Sequence, residues 1–259
     1  MIPHDKIYIH MPFNNLINNL DEFCRLKFNC EIYFAADALT TIRGGQIKRI
    51  NAAFDKNNIK RSIHAPFMDL NPGSYDMEIR QISINRYKQS IDACVKLKAE
   101  RMVVHTHYSP IFHRGHKEAW LANTASGINS VCDYAAKKSV TIAVENSLDD
   151  SSWPTLELLK QVGRLKACFD VAHYNVFSPL GWEAELAQYK PDSILEVHLS
   201  DNNGKADEHL PLGEGIIDFK KFLKIIAEKN ISPFITIEPH DKEGLYKGLE
   251  YIKKLKIKN

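Results

Sequence analysis

The residues of this chain that could do chemistry are mostly imidazoles and carboxylates, and they recur at one kind of position. His64, His105, Glu145, Asp170, His198 and Glu238 each close a short apolar run: Arg-Ser-Ile-His64, Met-Val-Val-His105, Thr-Ile-Ala-Val-Glu145, Ala-Cys-Phe-Asp170, Leu-Glu-Val-His198 and Ile-Thr-Ile-Glu238. Burying such groups unpaired is costly, and no Lys or Arg stands beside most of them. Asp170-Val-Ala-His173 adds a histidine just past its run, and Asp207-Glu-His209 sets two more ligand types at i and i+2, on one side of an extended loop. One such residue alone reads as a hydrogen-bonded core group. All of them together read as a divalent-metal site with oxygen and imidazole ligands, suited to Zn2+ first and Mn2+ second, with positions open to a reacting molecule.

The elements that must position these residues alternate. Strand-length runs fall at Lys6–Met11, Cys30–Ala35, Arg61–Ala65, Met102–His107, Val140–Glu145, Ala167–Val171, Ile194–Leu199 and Phe234–Glu238, with helical periodicity at Ile79–Leu97, Ala119–Lys138, Leu156–Val162, Phe219–Glu228 and Gly244–Leu255. The spacing of roughly 30 residues is that of a βα unit. Thr155 and Asp218 stand where helix N-caps are expected, and Gly163 and Asn230 where helices should stop. Eight strands with polar ends favour a closed (β/α)8 TIM barrel over an open doubly wound sheet, because barrel strand ends converge on one mouth. With no linker-like stretch, one domain over 1–259 is expected.

Composition sets outer bounds. The 259 residues are 44% hydrophobic and 25% charged with a net charge of +2, which fits an ordinary globular enzyme and gives no sign of a polyanion partner. Cys24, Cys30, Cys94, Cys132 and Cys168 are odd in number and form no C-x-x-C pair, so buried thiols are expected rather than disulfides or a thiolate zinc site. No apolar run approaches a membrane span, and a cytoplasmic enzyme without a membrane partner is the expectation.

Other residues carry weaker signals. His10, His107 and His240 lie at strand ends as substrate contacts or structural groups; His113 and His116 read as exposed; Trp120, Trp153 and Trp182 read as core, pocket or interface, with Trp182 placed after a strand-end loop. Gly213-Glu-Gly215 marks backbone that turns or approaches something closely, and a lone G-x-G does not establish phosphate binding. The run Lys253–Lys258 reads as a solvated face of the last helix.

Through His64-Ala-Pro-Phe, Val-Val-His105, Ala-Val-Glu145-Asn-Ser, Phe-Asp170-Val-Ala-His173, and the block from His198-Leu-Ser-Asp-Asn-Asn-Gly to Asp207-Glu-His209-Leu-Pro-Leu-Gly-Glu-Gly, the chain resembles the xylose isomerase-like barrel superfamily over essentially its whole length. That superfamily includes endonuclease IV, of AP endonuclease family 2, and proteins called sugar phosphate isomerase/epimerase. Endonuclease IV holds three zinc ions, and the resemblance implies His64, His105 and Glu145 on one, Glu145, Asp170, His198 and Glu238 on a second, and His173, Asp207 and His209 on a third, with Glu145 bridging. Sugar isomerases and epimerases of the superfamily resemble only the second group.

Retention of all nine ligand types therefore implies metal-dependent phosphoester hydrolysis, with Glu145 and Glu238 as the catalytic carboxylates. The substrate implied is a small phosphodiester, of the cobamide type among others, or abasic DNA. DNA is the less favoured of these: the stretch between His198 and Asp207 is short, Ala35-Ala-Asp-Ala-Leu-Thr does not resemble a DNA-contacting loop, and basic residues are scattered. The alternative is a single-metal sugar or sugar-phosphate isomerase/epimerase in which Glu145 and Glu238 also move protons. A metal-stabilised binding barrel without catalysis is a third reading, disfavoured because structural sites are usually closed by four ligands.

Overall fold

Alternating strand and helix signals do close on themselves. The computed structural model describes residues 3–255, and in it β1 (Ile7–Pro12), β2 (Asn29–Tyr33), β3 (Arg61–His64), β4 (Arg101–His105), β5 (Thr141–Glu145), β6 (Lys166–Asp170), β7 (Ile194–Leu199) and β8 (Phe234–Ile237) pair in parallel, in chain order, as a closed barrel. The helices are α1 (Phe13–Asn18), α2 (Leu20–Leu26), α3 (Ala36–Thr41), α4 (Gly44–Lys56), α5 (Met77–Leu97), α6 (Pro110–His113), α7 (Lys117–Ala136), α8 (Trp153–Gln161), α9 (Val171–Phe177), α10 (Gly181–Leu186), α11 (Phe219–Glu228) and α12 (Lys242–Lys254). The chain is thus a single-domain TIM barrel.

Strand alternation sorts the residues into two faces. Ile7, Ile9, Ile32, Ile63, Val104, Val144 and Phe169 join the main core with the helices, while Val103, Ala143 and Cys168 form a separate small apolar layer. On the same alternate positions as that layer stand Tyr8, Glu31, Arg101, Glu196, His198 and Thr236, all buried. The barrel interior is therefore unusually polar. At its base Arg101 lies 3.9 Å from the ring centroids of both Tyr8 and Phe234 and grips Glu196 with two nitrogens, at 2.8 and 3.2 Å. Thr236 donates to the same carboxylate at 2.6 Å.

Several sequence expectations shift. Asp218 caps α11, accepting from Lys221 N at 3.0 Å, and Asn230 is left-handed (φ 56°) just past that helix. Thr155 is not a cap: α8 begins at Trp153, with Pro154 in the first turn, where its missing N–H costs nothing. Helices α1–α4, α9 and α10 escape a periodicity reading because most are too short to show a repeat, and α4 opens on two glycines. His113 is buried rather than exposed, with its Nδ1 accepting from Ser109 N at 2.9 Å. Trp182 is buried against Phe222, with ring centroids 5.6 Å apart, which removes it from the substrate candidates. Lys253 and Lys254 are exposed on or near the end of α12, and the rest of the Lys253–Lys258 run lies outside the described residues. All five cysteines are buried and free.

The G-x-G expectation resolves into packing. Asp201 is fully buried and accepts from four backbone N–H groups: Asn202 at 2.9 Å, Gly213 at 2.9 Å, Gly215 at 3.0 Å and Ile217 at 3.1 Å. A Cβ on Gly215 would strike that carboxylate, and Gly213 (φ +87°) lies against the Tyr251 ring. Gly213→Ala combines a left-handed backbone with that clash and is expected to destabilise the fold by about 1–3 kcal/mol, read as a lowered denaturation midpoint at unchanged slope.

Candidate metal centre

Because β4 pairs His105 with Glu145 and β6 pairs Asp170 with His198, register alone sets metal-ligand types side by side at the barrel mouth. Glu145 is the hub. Its Oε2 lies 3.1 Å from His64 Nε2 and 3.3 Å from His105 Nε2; its Oε1 lies 3.2 Å from His198 Nδ1 and 3.6 Å from His173 Nδ1. Glu238, the residue following β8, approaches His198 Nδ1 at 3.0 Å. One donor atom each from His64, Glu145, His198 and Glu238 lies within 4.8 Å of the others.

A second cluster stands on the loop that follows β7. Asp207 Oδ2 is 3.3 Å from His173 Nε2 and 3.2 Å from His209 Nε2, so three donor atoms converge. The Asp201 cage described above fixes the loop that carries Asp207 and His209. A third grouping, Glu145, Asp170 and His173, links the two clusters. The nine residues named from the sequence lie in one connected constellation, in which Glu145 and His198 stand with His64 and Glu238, and Asp170 joins through Glu145 and His173.

The donors fit a divalent cation on independent grounds. His64 Nδ1 is tied to Ala65 O at 2.9 Å and His173 Nδ1 to Asn146 O at 2.7 Å, which turns each Nε2 toward its cluster. Outer hydrogen bonds of this kind orient metal-binding imidazoles. Asp170 Oδ2 is buried without a hydrogen-bond partner, and His198 Nδ1 makes no aligned hydrogen bond to the carboxylates 3.0 and 3.2 Å from it, although partners for such groups are the rule. Asn146 staples β5 to β6 by donating to Asp170 O at 3.0 Å and accepting from Asp170 N at 2.9 Å.

Electrostatics follow from this crowding. Burial works against charge on Glu145 and Glu238, yet the neighbouring imidazoles, His198 foremost, hold both carboxyls below their ordinary range. Burial raises Asp170 to about 7 despite His173. His209 is opposed by burial but raised to about 9 by its hydrogen bond to Asp207 and by the charge of Glu238. An ion at this cluster needs the imidazole lone pair, so it must displace that proton. Metal uptake at pH 7 is expected to release protons from His209 and from His173, which burial opposes but Asp170 and Asp207 hold well above the ordinary imidazole range, so apparent affinity should climb at least about tenfold per pH unit around neutrality, seen by calorimetry in buffers of different ionisation enthalpy. Without metal, the stabilisation from the His209 proton is complete below the unfolded value of about 6.5 and is lost as pH rises through about 9.

Glu31 is a participant that sequence reading passed over. It is fully buried on β2, accepts from Ser62 Oγ at 3.3 Å, and sets Oε1 3.3 Å from His198 Nε2, on the side of the ring away from Glu145 and Glu238. Its signal was a lone charge in Asn-Cys-Glu31-Ile-Tyr, away from the strand end. Glu31→Gln is expected to weaken metal binding about 10- to 100-fold while leaving the fold intact, as measured by competition with a chromophoric chelator. His10 stacks on Tyr33 and meets His64 edge-on, and burial lowers it to about 4. His107 bonds the Tyr87 hydroxyl at 2.6 Å and burial lowers it to about 3, so its role is structural. His240 is exposed.

Known proteins with this architecture fall on both sides of the chemistry. The chain is 30% identical over 215 residues to the uncharacterized protein MJ1311 of Methanocaldococcus jannaschii, covering 80% of this chain and 73% of that one. It is 22% identical over 264 residues to a probable endonuclease 4 of Mycoplasma capricolum subsp. capricolum, covering 90% and 89%. Among solved structures, a D-tagatose 3-epimerase-like protein superposes with a TM-score of 0.84 at 25% identity, over 96% of both chains. With residues 30–255 matched by the family model for the xylose isomerase-like TIM barrel, and with the closed barrel seen here, the chain belongs to that family.

Proposed function

We propose that this protein is a divalent-metal-dependent phosphoester hydrolase acting on a small phosphodiester. The observation that carries this reading is the cluster of His173, Asp207 and His209, set against but apart from the four-residue set around Glu145. A single-metal site has no use for it. His64, His105 and Glu145 would hold one ion, Glu145, Asp170, His198 and Glu238 a second, and His173, Asp207 and His209 a third, with Zn2+ suited best to the donors and Mn2+ next. Bound together, such ions polarise a phosphoryl oxygen and stabilise the attacking and leaving oxygens of an in-line displacement.

The chain's own residues do the rest. Glu145 offers an oxygen to each side of the constellation and, held ionised by its histidines, keeps both oxygens as acceptors. Asn146 holds the strand end on which Asp170 and His173 stand, and Asp201, paired backbone to backbone with Leu210, anchors the base of the loop that carries Asp207 and His209. A small substrate is favoured over abasic DNA because Lys205 is the only basic residue between His198 and Asp207, whereas duplex binding draws on several phosphate contacts.

A single-metal sugar isomerase or epimerase is the second reading, favoured by the likeness to the D-tagatose 3-epimerase-like protein. Glu145 and Glu238 would then exchange protons on either side of a substrate carbon. Asp207→Asn separates the two, since it strikes the second cluster and spares the first. Hydrolysis predicts that zinc-loaded wild type cleaves bis(p-nitrophenyl) phosphate and that the variant loses about 100-fold or more. Ketose epimerisation untouched by Asp207→Asn, with no diester cleavage by wild type, would replace the hydrolase reading with the second.

A further inference from the structure

A cavity of about 370 Å³ opens between β1, α1 and α2 on one side and the β8–α12 junction on the other. Its inner wall includes two of the proposed metal ligands, His209 and Glu238. Away from them the lining is mainly apolar, with buried Leu16, Phe23 and Leu245. The stacked rings of His10 and Tyr33 also line it, their centroids 5.4 Å apart.

Of the other charged groups of the lining, Lys242 and Glu22 are paired with each other, and Asp241 is engaged as a helix cap. Lys242 Nζ lies 2.6 Å from Glu22 Oε1, which also accepts from the Tyr246 hydroxyl at 3.1 Å. Asp241 accepts from Gly244 N at 2.8 Å and so caps α12. The one lysine or arginine of the lining, Lys242, is thus already paired, and the cavity offers no free basic side chain of that kind to a second phosphate. Its volume falls at the lower end of pockets that enclose small ligands, roughly 300–1,000 Å³.

We infer that this cavity is a subsite for an uncharged, ring-sized apolar or aromatic group carried by the substrate, next to the phosphoryl group that the metal centre receives. The inference rests on the phosphoester reading and narrows it: the substrate is a small phosphodiester with one neutral ring-bearing ester arm, and that arm is recognised by apolar burial, not by charge.

The test is equilibrium binding of two phosphonate monoesters to zinc-loaded protein, methyl phenylphosphonate and methyl methylphosphonate, which are diester mimics of the same charge. Burying the phenyl ring predicts that the first binds about 10- to 100-fold more tightly. Asn15 is exposed on the cavity lining, and its side chain makes no hydrogen bond that the helix needs, so Asn15→Trp fills the space from the edge with little risk to folding. The preference should collapse to within about twofold in that variant and in Leu245→Trp, while binding of the methyl compound persists. Equal affinity of both compounds for wild type, or a preference that survives both tryptophans, would overturn the subsite and leave the hydrolase reading standing. Failure of both compounds to bind would overturn the phosphoester reading and the subsite with it.

Discussion

On the proposed function, Glu145→Gln is expected to cost at least about 1,000-fold in any metal-dependent activity of this protein and to strip metal from around His64 and His198, because several kcal/mol of charge stabilisation would depend on the ions Glu145 would hold. The substitution is nearly isosteric, so the barrel should stay folded. What changes is the charge. One carboxylate faces His64, His105, His198 and His173 at 3.1–3.6 Å. The amide presents a donor on one of those sides and neutralises the anion that offsets the imidazoles. Metal content by elemental analysis, beside circular dichroism, separates the two effects. Full metal retention with full activity would remove Glu145 from the centre and would contradict the hydrolase and isomerase readings alike.

Arg101→Met should destabilise the fold by about 3–5 kcal/mol, the cost of leaving one member of a buried ion pair uncompensated. Glu196 would lose two charge-assisted hydrogen bonds and keep only Thr236 and nearby histidine charge. The lost stacking on Tyr8 and Phe234 adds to this. For a chain of this size the melting temperature should fall on the order of 10 °C. Adding Glu196→Gln to Arg101→Met should restore part of the loss, since the unpaired charge goes with it. A single variant within about 1 kcal/mol of wild type would show that the pair contributes little beyond its volume.

These two residues mark the boundary of what the sequence discloses. Glu145 is legible because the strand alternation breaks at its end: Thr-Ile-Ala-Val-Glu145 places a charge where an apolar run would continue. Several such breaks signal one barrel mouth, and all nine candidates do converge. Arg101 and Glu196 carry no such mark. Each lies within its strand, 95 residues from the other in sequence, and only closure of the barrel brings them together. Glu31 is hidden for the same reason. Asp201 was obscured by Ser-Asp-Asn-Asn-Gly, which reads as an open polar loop but instead gathers four backbone N–H groups around a buried carboxylate.

The cavity beside His209 was likewise invisible in sequence, because its walls come from both ends of the chain: α1 and α2 follow the first strand, and α12 follows the last. Barrel closure is what makes neighbours of these segments, and with them a place for a substrate arm that no single motif encodes.

Metal content per chain on protein purified without chelator, combined with an anomalous-scattering map of its crystals, tests the central claim most directly. Two or three ions, at least one of them among His173, Asp207 and His209, is the result expected of a multinuclear phosphoester hydrolase. One ion held by Glu145, Asp170, His198 and Glu238 even in excess metal, with no scattering at the Asp207 cluster, would contradict it and turn the search to ketose and aldose substrates.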